Sequence, residues 1–163
     1  MDLVRRHLKT PYAWLELGAI ALTACAAILA AFCLNTSRTS PRWVFLPVPP
    51  LTLWLIVCAY DCLRHVTLVG AEAWDLGDSP HCVLFILAIS IPLGISVMAT
   101  YRLRPGRSSA LAGLGVATFA ICLLQFFHPF DSNLTDLIAH ITAAAIVVGA
   151  MTYSVQLMPT IRI

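Results

Sequence analysis

Charged side chains are scarce in this sequence: aspartate, glutamate, lysine and arginine make up 11% of 163 residues, and Lys9 is the sole lysine. A soluble domain carries about 25%. With 60% hydrophobic residues and a mean hydropathy of +0.86, a water-soluble globule is excluded and an integral membrane protein is expected. Polar stretches are equally few. No cleavable signal peptide is evident, because the first apolar run, from about Tyr12, is too long and has no clear small-residue cleavage site.

Chemical signatures are missing as well. The six cysteines, Cys25, Cys33, Cys58, Cys62, Cys82 and Cys122, include no CxxC pair and no zinc-finger spacing. Most sit in apolar runs, where a thiol behaves as a small hydrophobe. Cys58 and Cys62 stand at i, i+4, near the upper Cα separation for a disulfide in regular helix, which favours packing over pairing. No Ser/His/Asp set, phosphate-binding glycine loop or catalytic carboxylate pair can be placed, so no enzyme is expected. The basic residues are scattered and flank apolar runs, which leaves no footprint for direct nucleic-acid binding.

What is present is a set of apolar runs of bilayer length. The organising stretch runs from His81 to His128: HCVLFILAISIPLGISVMAT, then YRLRPGRSS, then ALAGLGVATFAICLLQFFH. It reads as a transmembrane hairpin with a basic tip at Arg102, Arg104 and Arg107. Five spans are expected in all, at about 13–33, 43–60, 82–100, 109–127 and 134–157, giving an all-α transmembrane bundle in one domain. Glu16 is expected to snorkel to the interface or cap the first helix. Pro47, Pro49 and Pro50 are expected to break or kink the second span. Residues 61–81 form the one long polar stretch, with Arg64 to Trp74 read as a short surface helix ended by the Gly-Asp-Ser-Pro turn. Gly113 and Gly115 permit close helix packing. Residues 1–11 read as a basic end lying in solvent or at the interface, or else as a docking segment.

Lysine and arginine in short loops favour the cytoplasmic side. With the N-terminus outside, the inside holds six (Arg38, Arg42, Arg102, Arg104, Arg107, Arg162) and the outside four (Arg5, Arg6, Lys9, Arg64). That orientation gathers His81, Cys82, Asp75, Asp78, His128, Asp131, Asp136 and His140 near the extracytoplasmic face. Asp136 and His140 share a helix face at i, i+4. Histidine, cysteine and carboxylates together suit a metal- or redox-sensing cluster. The plain alternative makes Asp136 a helix cap and the histidines interfacial residues. No cofactor is called for.

From about Pro41 to the C-terminus the chain resembles the NrsF-like family, bacterial inner-membrane negative regulators of sigma F. The resemblance rests on LPVPPLTLWL, a Trp-bearing polar loop, Cys82 ten residues before Pro92, the YRLRPGR connection, the ALAGLG helix start and His128 at that helix's end. It implies an anti-sigma factor that holds an extracytoplasmic-function sigma factor at the membrane until envelope metal or oxidative stress releases it. It also implies sensing cysteines on the periplasmic side. Cys82 matches the first. Where the family has a second cysteine after the histidine, Pro129 follows His128, and His140 stands where the family has a tryptophan. A His/Cys/Asp version of the sensor, drawing on Cys82, His128, His140, His81 and Asp136, is the substitute expectation. Family members usually have six spans and a longer cytoplasmic N-terminal segment, and the first span here matches their second. Sigma contact then falls to the loops bearing Arg38, Arg42, Arg102, Arg104 and Arg107. Two other readings stand beside this one. A structural or transport-accessory subunit fits the lack of charge in the middle of any span, and a thiol/quinone redox protein fits the cysteine count.

Overall fold

The structure, a computed structural model, describes residues 11–36, 40–69, 79–100, 103, 106–127 and 134–157. Five helices are long and apolar enough to cross a membrane. They are α1 (Pro11–Asn35), α2 (Val48–Val69), α3 (Ser79–Thr100), α4 (Arg107–Leu124) and α5 (Leu134–Leu157), with a 3-10 turn (Pro41–Phe45) ahead of α2. Helix is the expected form here, since each helix satisfies its own backbone polar groups without help from lipid. No strand occurs among the described residues.

α4 is the central helix. It packs against α1, α3 and α5, and its contact with α1 is the most extensive in the bundle. Side-chain size accounts for this placement. α4 carries Ala112, Gly113, Gly115, Ala117 and Ala120, and α1 faces it with a stripe of small residues that includes Ala24, Ala27, Ala30 and Ala31, all buried. Small residues let backbones approach closely, and lipid supplies no hydrophobic drive that would favour larger ones. Two buried clusters result. One joins Ala19, Ile20, Trp54, Cys58, Cys82, Ile86, Ala120, Ile121, Leu124 and Ala143. The other joins Ala30, Ala31, Leu103, Leu111, Ala112, Val116, Ala117, Val147 and Met151.

The second span meets one expectation and departs from another. The prolines break it: the span Pro41–Arg64 begins as the 3-10 turn Pro41–Phe45 and becomes α-helix only at Val48, with Pro49 and Pro50 in the first turn of α2. Backbone N–H groups there have no intrahelical partner in any case, so proline costs no hydrogen bond. The genuine internal proline is Pro92 of α3, and Ser96 Oγ donates to the Pro92 carbonyl at 2.8 Å one turn on. Against expectation, α2 runs unbroken through Asp61 and Arg64 to Val69. No separate surface helix starts at Arg64. Cys62 is buried beyond Asp61, so packing carries the helix past the point where polar residues begin.

Candidate functional site

Successive helices run in opposite directions, so the start of α1, the end of α2, the start of α3, the end of α4 and the start of α5 meet at one end of the bundle. The expected sensing residues that are described all lie there. His81 and Cys82 stand in the first turn of α3, Asp136 in the first turn of α5 and His140 one turn further on. His81 is exposed, Asp136 and His140 are half-buried, and Cys82 is only 1% exposed. The Cys82 side chain thus belongs to the core cluster that also holds Trp54 and Cys58. Asp136 interacts electrostatically with Cys62 at the end of α2. No disulfide joins any of the six cysteines. Among the described residues no three histidine, cysteine or acidic side chains are grouped to hold a metal ion. His128, Asp75, Asp78 and Asp131 lie outside the described residues.

The same end holds a polar cluster built around Glu16. This side chain neither snorkels nor caps; it is drawn inward. Its Oε1 accepts from Cys58 Sγ of α2 at 3.1 Å and from Gln125 Nε2, just past the end of α4, at 3.1 Å. Trp54, 3% exposed, interacts with the same carboxyl group, although its indole Nε1 closes no hydrogen bond. Asp61 adds a second acid nearby. The signal for Glu16 was present in the helical period. Positions 16, 19, 20, 23, 24, 27, 30 and 31 trace one face of α1, and all but the first are buried. Gln125 likewise continues the line of Thr118 and Ile121 on α4, both buried.

The opposite end is the arginine end. Arg42 is exposed in the 3-10 turn, where the Ser40 hydroxyl accepts from the Arg42 backbone N–H at 3.4 Å. Arg107 is exposed in the first turn of α4. Between α3 and α4, Leu103 is buried against the core cluster of Ala30, Ala31 and Leu111. Gly106 turns the chain with φ +95°, a conformation open to glycine and strained for other residues. Ser108 Oγ then donates to the Ala31 carbonyl of α1 at 2.9 Å. Arg38, Arg102 and Arg104 lie outside the described residues. None of the eight acids falls in the segments that join helices at this end; they are Asp2, Glu16, Asp61, Glu72, Asp75, Asp78, Asp131 and Asp136.

Comparison with known proteins adds one finding. No curated protein and no solved structure matches the chain. The family described as negative regulator of sigma F matches residues 2–158. That span takes in α1 as well as the region from Pro41 onward where the sequence motifs lie. With that family covering all five helices of the bundle, this multi-pass membrane chain belongs to the NrsF family.

Proposed function

We propose that this protein is a membrane-bound anti-sigma factor: it sequesters an extracytoplasmic-function sigma factor at the cytoplasmic face of a bacterial inner membrane and releases it on envelope metal or redox stress. The observation that carries the reading is the family match over residues 2–158, which gives a regulator with a sigma factor as partner and points to a non-catalytic role.

Charge placement supports the orientation. One end of the bundle is joined by segments with arginine and no acid, and such segments favour the cytoplasm. In this reading Arg38, Arg42, Arg102, Arg104 and Arg107 face the sigma factor, and the chain's contact is with protein and lipid rather than with nucleic acid. The opposite, acidic end is then extracytoplasmic and receives the signal. Cys82, His81, Asp136, His140 and His128 are its proposed sensing residues. Because Cys82 is packed inside the bundle, a change at its thiol acts by disturbing that packing and not by closing a surface site.

The test is deletion of the gene in its native host, followed by transcript profiling without stress. The reading predicts that a sigma-dependent gene set rises constitutively and gains little further on stress. An unchanged transcriptome would remove the anti-sigma reading and leave a structural or accessory subunit as the better account.

A further inference from the structure

The Glu16 cluster has a hydrogen-bond imbalance. The hydrogen bonds that Cys58 Sγ and Gln125 Nε2 donate to the carboxyl group fall on the same oxygen, Oε1. Two donors on one oxygen fill the two lone pairs of a carbonyl-type atom. Gln125 meanwhile leaves its own Oε1 buried with no donor. That oxygen shares a rigid planar amide with the nitrogen already bonded to Glu16. An ionised glutamate offers only acceptors and cannot serve it, whereas a carboxylic acid carries the O–H that can.

Charge points the same way. The elements packed against α1 are α4, α2 and the 3-10 turn ahead of α2, whose charged residue, Arg42, lies at the opposite end of the bundle from Glu16. From α2, Cys58 bonds to Glu16, and Cys62 and Asp61 interact with it electrostatically. From the α4 side it meets the neutral Gln125. Among the described residues, no lysine, arginine or histidine is one of the groups that interact with it. A charge taken out of water without an opposite charge is costly, and within a membrane-spanning helix more so. Trp54, almost wholly buried with an unbonded indole N–H, turns a further neutral donor toward the carboxyl group. It adds polarity to the cluster without adding a cation.

We propose that Glu16 and Gln125 share a proton as a carboxylic acid–amide pair, forming a proton-binding site where α1, α2 and α4 join. The pair closes through two antiparallel bonds: the amide N–H gives to the Glu16 carbonyl oxygen, and the Glu16 O–H gives to the amide oxygen. Loss of the proton replaces the second bond with two acceptors facing each other and places a bare carboxylate beside Asp61. Cys58 of α2 donates to Glu16 in either state, so what proton occupancy changes toward α2 is the charge facing Asp61. This site goes beyond the sigma-regulator reading and does not depend on it.

Infrared difference spectroscopy of the full chain in lipid, wild type minus Glu16→Gln at neutral pH, tests the site. The expected result is loss of a protonated-carboxyl C=O band in the variant, with an unchanged melting temperature, because the neutral amide can still pair with Gln125. Loss of carboxylate stretches in place of that band would overturn the proposal. So would failure of Glu16→Gln to fold, since a neutral isostere keeps the pairing a protonated glutamate makes. Glu16→Ala, which removes the pair altogether, is expected to lower the melting temperature relative to Glu16→Gln, and equal melting of the two variants would also count against the site.

Discussion

Gly115 of α4 lies so close to Ile28 of α1 that a Cβ added to it would stand 2.6 Å from Ile28 Cγ1 and 3.1 Å from the Ile28 backbone nitrogen. Gly113, on the other side of α4, would place a Cβ 2.9 Å from the Val148 Cα of α5. Two glycines at i, i+2 thus serve opposite faces of one helix and let it sit between two neighbours.

Gly113→Ala and Gly115→Ala should each destabilise the bundle by roughly 1–3 kcal/mol, the range for overpacking a filled interface. Gly149→Ala is the internal control, because nothing lies within 4 Å of the added atom. Thermal melting of the purified protein in detergent checks all three. Equal melting of Gly149→Ala and Gly113→Ala would contradict the close approach.

Gly106→Ala should cost about 1–2 kcal/mol through backbone strain alone, as φ is +95° and open space surrounds the position. Its effect should concentrate at the arginine end. Limited proteolysis next to Arg102 and Arg104 is the measurement, with faster cleavage in the variant expected.

Ser108→Ala removes the side-chain bond to the Ala31 carbonyl that ties the start of α4 to the end of α1. A loss of about 0.5–1.5 kcal/mol is expected, in line with the modest strength of such bonds between membrane helices. Ser108→Thr should recover part of it if the hydroxyl reaches the same carbonyl. Chemical denaturation of the three proteins decides the matter.

Cys82→Ala should keep the fold, at a cost typical of trimming one small buried side chain, and should blunt the response of the sigma-dependent genes to metal or oxidant. Reporter expression in cells carrying the variant checks this. A full response with Cys82 absent would transfer sensing to the histidines and Asp136, or remove it from this end.

Much of the architecture was legible because bilayer crossing requires apolar length, and five such runs stand out between polar punctuation. The small residues of ALAGLG also announced close packing, which Gly113 and Gly115 carry out. What misled was polarity near the helix ends. Asp61 and Arg64 look like loop residues by hydropathy, yet backbone hydrogen bonding and the burial of Cys62 continue α2 through them. Pro47, Pro49 and Pro50 do break the second span as expected, and the α-helix opens at them. Glu16 looked interfacial since a lone acid near a span's start has an easy route to water. Its partners Cys58 and Gln125 are 42 and 109 residues away in the chain, and no local pattern joins them. Among the expected sensing residues, the shared end of the bundle followed from counting spans. The burial of Cys82 did not, because an interfacial and an inward position differ only in rotation about the helix axis.

The most direct measurement is a tagged pull-down of the full chain from solubilised native membranes, with and without metal or oxidant, every co-purifying protein being identified by mass spectrometry. The account predicts a sigma factor that is bound at rest and lost under stress. A stable membrane partner in both conditions, with no sigma factor in either, would contradict it.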